Sequence, residues 1–377
     1  MEGCEIDDIS ISNFEINFSG KVIIVGAGAA GLTAAYILQK NNIDFQIIEA
    51  APNYGGRLKR TDAFVDFPID LGAEWIHASP SVLAEILDNP DLDATVDFIT
   101  YNPQTFRIWK DGELKKANYA SNFYSEYKFK NTTWFGFFER FMVPEFVDKM
   151  ILGKPISSIQ YSGDKVRLHS TDSESFEADR VIVTVPIKIL QNEDIEFIPA
   201  LPDAKREAIN SISMGDGLKA FIEFKERFYP DILLFGNIVN ALASDDKIFY
   251  DAAFRKDTDK NVLGLFTINE MASDYTNLGS DQAIIEKILN ELDEIFDGKA
   301  SENYVHHVIQ NWSKEPFIQG SYSYNFDMNQ QDTVNTITEP INNKIYFAGE
   351  ALSVDYQATV HGACDAAYEA VERLLKD

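Results

Sequence analysis

One short stretch near the N-terminus constrains this chain more than any other. Lys21-Val22-Ile23-Ile24-Val25 is an apolar run of strand length. Gly26-Ala27-Gly28-Ala29-Ala30-Gly31 follows it as G-x-G-x-x-G, opening a helix-forming stretch that reaches about Gln39. Asp44-Phe45-Gln46-Ile47-Ile48 is a second apolar run, and it ends in an acid, Glu49, followed by Ala50. A strand–turn–helix–strand–acid unit of this kind marks a dinucleotide site. Gly26 allows the tight turn, Gly28 lets the backbone approach a pyrophosphate, and Gly31 lets helix and strand pack closely. Ala29 and Ala30 lie at the helix N-terminus, where unpaired N–H groups and a partial positive charge face the phosphates. Glu49 is the candidate acceptor for a ribose diol.

With 377 residues, the chain exceeds the size at which a single core keeps growing, so two domains are expected. Its net charge of −27, from 33 basic and 60 acidic residues, argues against nucleic acid or anionic membrane as partners. A cationic substrate would be attracted, although a well-solvated acidic surface is the simpler explanation of the charge. No apolar run of about 18 residues occurs, so no membrane span is expected. The first twenty residues carry five acids and no Lys or Arg, unlike a signal or transit peptide. Cys4 and Cys364 make neither a metal site nor a disulfide framework. The expectation is a cytoplasmic protein without a metal; the oligomeric state is left open.

The remaining pattern suggests an α/β chain of two discontinuous domains. Residues 1–20 read as an acidic leader with a short strand at Ser10–Phe18. A doubly wound, Rossmann-type nucleotide domain takes 21–80, 151–215 and 335–377. An α+β substrate domain with a mixed or antiparallel sheet takes 81–150 and 216–334. Strands are expected at 154–161, 165–170, 181–186, 217–225, 248–254, 261–269 and 344–348. Helices are expected at 81–87, 280–296 and 362–375. Between Phe123 and Met150 the chain is dense in aromatics, including Phe123, Tyr124, Trp134, Phe137 and Phe138. Plain core is the simpler explanation, with a pocket lining as the other.

Five further segments carry a resemblance. Gly55-Gly56-Arg57-Leu58 follows Glu49, with Arg57 offering a planar fork of donors to a phosphate. Asp70-Leu71-Gly72-Ala73-Glu74-Trp75-Ile76-His77 comes next, then Gly215-Asp216-Gly217-Leu218-Lys219-Ala220 entering a strand. Trp312 and Tyr322 lie in Asn311-Trp312-Ser313-Lys314-Glu315-Pro316-Phe317-Ile318-Gln319-Gly320-Ser321-Tyr322-Ser323. Last is Phe347-Ala348-Gly349-Glu350-Ala351 with Thr359-Val360-His361-Gly362-Ala363. In this order, and over nearly the whole chain, the motifs resemble the FAD-dependent amine oxidases. The Gly-Ala-x-Trp-Ile-His form is especially similar to polyamine oxidases.

The resemblance implies FAD held non-covalently, since no Cys stands where monoamine oxidases attach theirs. It implies cofactor contacts from Gly26, Gly28, Ala29, Ala30, Gly31, Glu49, Ala50, Gly56, Arg57, Gly72, Ala73, Glu74, Trp75, Trp312, Gly349, Glu350, Thr359, Val360 and Ala363. Ile156 is implied to meet the adenine through its backbone. Lys219 is implied to reach the flavin N5 through a water, Trp312 and Tyr322 to border the substrate, and His77 to position the amine or take its proton, although a structural histidine fits that position as well. The implied reaction passes a hydride from the carbon beside nitrogen to FAD; the imine hydrolyses, and O2 takes the electrons as H2O2. The chain is short between His77 and Lys154, where larger relatives carry substrate-binding helices, so the pocket transfers least. Other expectations compatible with these residues are an amino-acid oxidase, a desaturase of a carbon–carbon bond, or an FAD-binding module without turnover.

Overall fold

The computed structural model describes residues 14–89, 96–117, 125–236, 247–324 and 329–377. Its nucleotide half is built on a five-stranded parallel sheet. The strand order is Met150–Ile151, Asp44–Ile48, Lys21–Val25, Arg180–Val183 and Ile345–Phe347. Val22, Ile23, Ile24, Ile47, Val181 and Ile182 are completely buried, as expected when both faces of a parallel sheet are covered. Helices Ala29–Lys40 and Val360–Lys376, from opposite ends of the chain, pack on each other. Their buried alanines (Ala30, Ala34, Ala363, Ala367, Ala370) allow close approach, and the Thr33 hydroxyl donates to Cys364 Sγ at 3.3 Å.

A four-stranded sheet, ordered Ser175–Ala178, Val166–Ser170, Ile156–Gln160, Glu196–Ile198, flanks this unit. The substrate half is a seven-stranded sheet in the order Tyr304–Asn311, Gly217–Phe224, Asn261–Ile268, Lys247–Asp251, Ile232–Phe235, Phe106–Lys110 and Glu113–Lys116. All its pairings are antiparallel except Ile232–Phe235 with Phe106–Lys110. Every residue of Gly217–Phe224 is buried, because the strand is covered on both faces. Leu218, Ala220, Ile222 and Phe224 meet Ile284, Ile288 and Leu292 of helix Asp281–Phe296, which Ser280 caps by accepting Ala283 N–H. Phe221, on the opposite face, meets Ile69, Leu71 and Tyr250. The two-residue period of a strand puts Lys219 on that second face.

Two expectations need correction. Residues 14–18 form no strand; Asn17 and Phe18 N–H groups instead donate to Leu375 O, and residues 10–13 lie outside the described residues. The segment 130–150 sits with the nucleotide half, not the substrate half. Trp134, Phe137, Phe138 and Phe146 fill the core beneath the parallel sheet, and Met150–Ile151 forms its edge strand. These aromatics are therefore core. Phe123 and Tyr124 lie outside the described residues.

Candidate active site

The glycine loop is shaped by contacts that no side chain would permit. Gly26 has φ +107°, and a Cβ on Gly31 would lie 2.0 Å from Gly26 O. Gly55 N–H donates to Ala27 O at 2.8 Å, and Gly28 bridges to Gly55, so the Gly55-Gly56 turn closes over the fingerprint loop. Past this closure there is open space: the nearest atom to a Cβ on Gly28 would be 3.9 Å away, and on Gly349 nothing would lie within 4 Å. Ala29 and Ala30 begin the helix beside this opening. Glu49 is buried, accepting Ala27 N–H at 2.6 Å on one oxygen and Ala51 N–H at 2.8 Å on the other. Burial pushes its carboxyl up, and the backbone donors only partly offset this. Each oxygen keeps a lone pair for a ribose hydroxyl. Ala50 follows this acid, Lys154 N–H donates to Glu49 O at 2.9 Å, and two residues on Ile156 opens its strand opposite Ser170.

A second cluster ties the two ends of the chain together. Arg57 donates to Glu350 at 2.8 Å and to Ser321 O at 3.1 Å, while Glu350 also accepts from the Ser323 hydroxyl at 2.6 Å. Ala73 N–H donates to Arg57 O, and a Cβ on Gly72 would lie 1.7 Å from that oxygen and 3.1 Å from Trp312. Trp312 is buried and donates its indole N–H to Leu71 O at 3.0 Å. The last helix starts at Val360, earlier than Gly362, because Thr359 caps it: the Thr359 hydroxyl accepts Gly362 N–H at 2.9 Å and donates to Tyr356 O. Val360 and Ala363 occupy its first turn.

Lys219 occupies the seam between the halves, on the face its strand position requires. Its ammonium donates to Asp70 O at 2.8 Å, Gly72 O at 3.1 Å and Glu74 Oε2 at 2.6 Å. These three acceptors match the three N–H groups of the ammonium. Glu74 itself faces inward: Lys128 Nζ meets Oε1 at 2.5 Å, and the Tyr250 hydroxyl donates to Oε2. Burial pushes the Glu74 carboxyl up, but Lys128 and Lys219 outweigh it and bring it down to about 2. Asp70 is driven the other way, up to about 8, by burial and by Glu74. Trp75 lies against Tyr101 and Tyr250, and these three rings surround the Lys128 ammonium. Glu74 and the Trp75 ring thus engage this buried cluster.

On the substrate side, the Tyr322 ring lies parallel to Phe266, with centroids 6.3 Å apart. Phe266 is the cross-strand partner of Lys219. His77 is half exposed, its Nδ1 3.3 Å from Glu126. His361 is buried, packs edge-on to Tyr356, and is held down to about 4 by burial and by His77. Phe266, His361, Lys128 and Tyr250 were not singled out from the sequence. His361 had a usable signal, since it occupies the first turn of a helix already assigned to the cofactor. Among the described residues, no group of His, Cys, Asp and Glu could hold a metal ion.

Residues 147–375 match the family model for flavin-containing amine oxidoreductases. The chain belongs to that family. Residues 24–89 also match an NAD(P)-binding Rossmann-like domain. Polyamine oxidase 3 of Oryza sativa is 24% identical to this flavin amine oxidoreductase, over 93% of this chain and 88% of its own. The lysine-specific histone demethylase 1B of Mus musculus is also 24% identical, over 91% of this chain but only 51% of its own. Among solved structures, the cyclohexylamine oxidase of Brevibacterium oxydans superposes with TM-score 0.78 at 17% identity, covering 95% of this chain and 99% of its own. A putrescine oxidase variant superposes with TM-score 0.75 at 16% identity, covering 95% and 99%. FAD is the cofactor of this family, and the residues fit it: two helix N-termini, open space at Gly28 and Gly349, and a buried acid with free lone pairs meet at one place.

Proposed function

We propose that this flavin amine oxidoreductase oxidises a polyamine-type amine, with O2 as final acceptor and H2O2 as product. Bound FAD supplies the acceptor for a hydride from the carbon beside nitrogen. The remaining work falls to the chain. Gly28, Gly56 and the helix starts would hold the phosphates on a loop that Gly26 and Gly31 shape, Glu49 would hold the ribose, and Arg57 with Glu350 joins the segments around the cofactor. Trp312 and the Tyr322–Phe266 pair form the wall along which an alkyl amine lies, their faces suited to a cationic nitrogen. His77, half exposed and beside Glu126, is placed to exchange a proton with solvent, so that the amine is presented neutral and able to give up a hydride.

The observation that carries this reading is the parallel Tyr322–Phe266 pair in cross-strand register with Lys219. It is favoured over an amino-acid oxidase because the arginines offered by the substrate-side segments are engaged elsewhere. Arg227 pairs with Asp231 and Asp251, Arg107 donates to Phe106 O, and Arg255 donates to Thr100 O, while Arg140 sits in the nucleotide half on Phe141. A substrate carboxylate would need one of them. The net charge of −27 fits a cationic substrate. The test is peroxide release across putrescine, spermidine, acetylated polyamines, aromatic amines and amino acids. Turnover is expected with the di- and polyamines; turnover with amino acids alone would overturn the reading.

A further inference from the structure

Lys219 and Glu74 form a buried ion pair between an element that borders the cofactor and the substrate sheet. Lys219 is 4% exposed and Glu74 7% exposed. The pair is closed on every side. Lys219 spends its N–H groups on Asp70 O, Gly72 O and Glu74, and its remaining face lies on the Phe221 ring. Glu74 is held in turn by Lys128 from the Glu126–Phe129 strand and by Tyr250 from the Lys247–Asp251 strand. Glu74 therefore answers two buried ammonium groups, Lys219 on one oxygen and Lys128 on the other. An amide there would still accept from Lys219 and Tyr250 but would turn its NH2 toward Lys128, so what the carboxylate adds is its negative charge.

That charge sits one residue beyond Gly72-Ala73, the turn that Arg57 and Trp312 clamp against the cofactor cradle. We propose that Glu74 is a positioning residue that fixes Lys219 and offsets its positive field, so that the flavin is harder to reduce than the lysine alone would make it. Taking up two electrons and one proton leaves a flavin with one negative charge, and a nearby cation favours that state. An adjacent carboxylate disfavours it. The inference rests on FAD in the cradle and is independent of which amine is used.

The experiment is a dithionite titration of the FAD-loaded protein against a reference dye, with no amine present, for wild type, Glu74→Gln, Lys219→Met and the double variant. The expected result is a rise in midpoint potential of about 30 mV for Glu74→Gln, a tenfold change in the two-electron equilibrium. A fall is expected for Lys219→Met, and a value near wild type for the double variant. Glu74→Asp keeps the charge and should restore the wild-type potential. If Glu74→Gln alone does not fold, the same rise is read by adding it to Lys219→Met. Shifts of one sign in both single variants, or none in either, would overturn the proposal. Because no substrate enters the measurement, a wrong substrate class leaves it intact.

Discussion

Arg57 and Glu350 meet at 2.8 Å although 293 positions separate them in the chain. The pair joins the turn that closes over the glycine fingerprint to the turn that follows the last strand of the parallel sheet. Its carboxylate is 9% exposed and its guanidinium 23%, so the attraction is less screened than that of a surface pair.

Glu350→Ala should therefore act on both stability and cofactor retention. Leaving the half-buried Arg57 unpaired is expected to cost about 2 kcal/mol, read by urea unfolding of the apoprotein. The FAD-loaded variant should lose its colour faster on dilution. Glu350→Gln, which can still accept from Ser323 and Arg57, should lose about half as much. Equal stability of all three proteins would remove the pair from the account.

Gly31→Ala tests the cradle itself. The new Cβ would sit 2.0 Å from Gly26 O, a backbone atom that cannot swing aside. The helix must move off the first strand, at a cost of roughly 1–3 kcal/mol. The expected outcome is a folded but colourless protein, measured by visible absorbance after incubation with excess FAD.

Acid should weaken the fold in a defined window. Burial holds His361 at about 4 instead of 6.5, so between these pH values the unfolded chain binds a proton that the folded chain does not. Stability must then fall as pH drops from about 6.5 to about 4, by about 3 kcal/mol in total for this group. His361→Gln should flatten that part of the curve, measured as melting temperature against pH relative to wild type. An unchanged slope would mean that His361 is protonated in the folded protein.

The substrate wall and the proposed base separate kinetically. Tyr322→Ala is expected to raise KM roughly tenfold through lost apolar and cation–π contact, about 1.4 kcal/mol, with a smaller effect on kcat. His77→Ala should instead move the acidic limb of the kcat/KM pH profile. If His77→Ala alters neither affinity nor profile, its bond to Glu126 is its whole role.

The nucleotide half was legible because its glycines answer to backbone geometry. Gly26, Gly31 and Gly72 are where a Cβ would strike a carbonyl oxygen or a neighbouring side chain, and such positions leave a fixed spacing in the chain. The long alternating strands around Lys219 were legible by period. The Glu74–Lys128–Tyr250 cluster was not, since Glu74 comes from the loop before Trp75–Ile76 while Lys128 and Tyr250 come from two strands distant in sequence, and their meeting leaves no spacing to read. The same holds for Phe106–Lys110, a five-residue strand that joins the large sheet only through its distant partner Ile232–Phe235. Lys219 shows both sides of this: its spacing located it, but only the fold revealed the three acceptors around its ammonium.

The most direct measurement is anaerobic mixing of the purified, FAD-loaded protein with spermidine or putrescine, followed by air. The account predicts that the visible flavin absorbance bleaches on mixing and returns in air with release of peroxide. Absorbance that stays unchanged with every amine tried, in protein that dithionite bleaches normally, would contradict it.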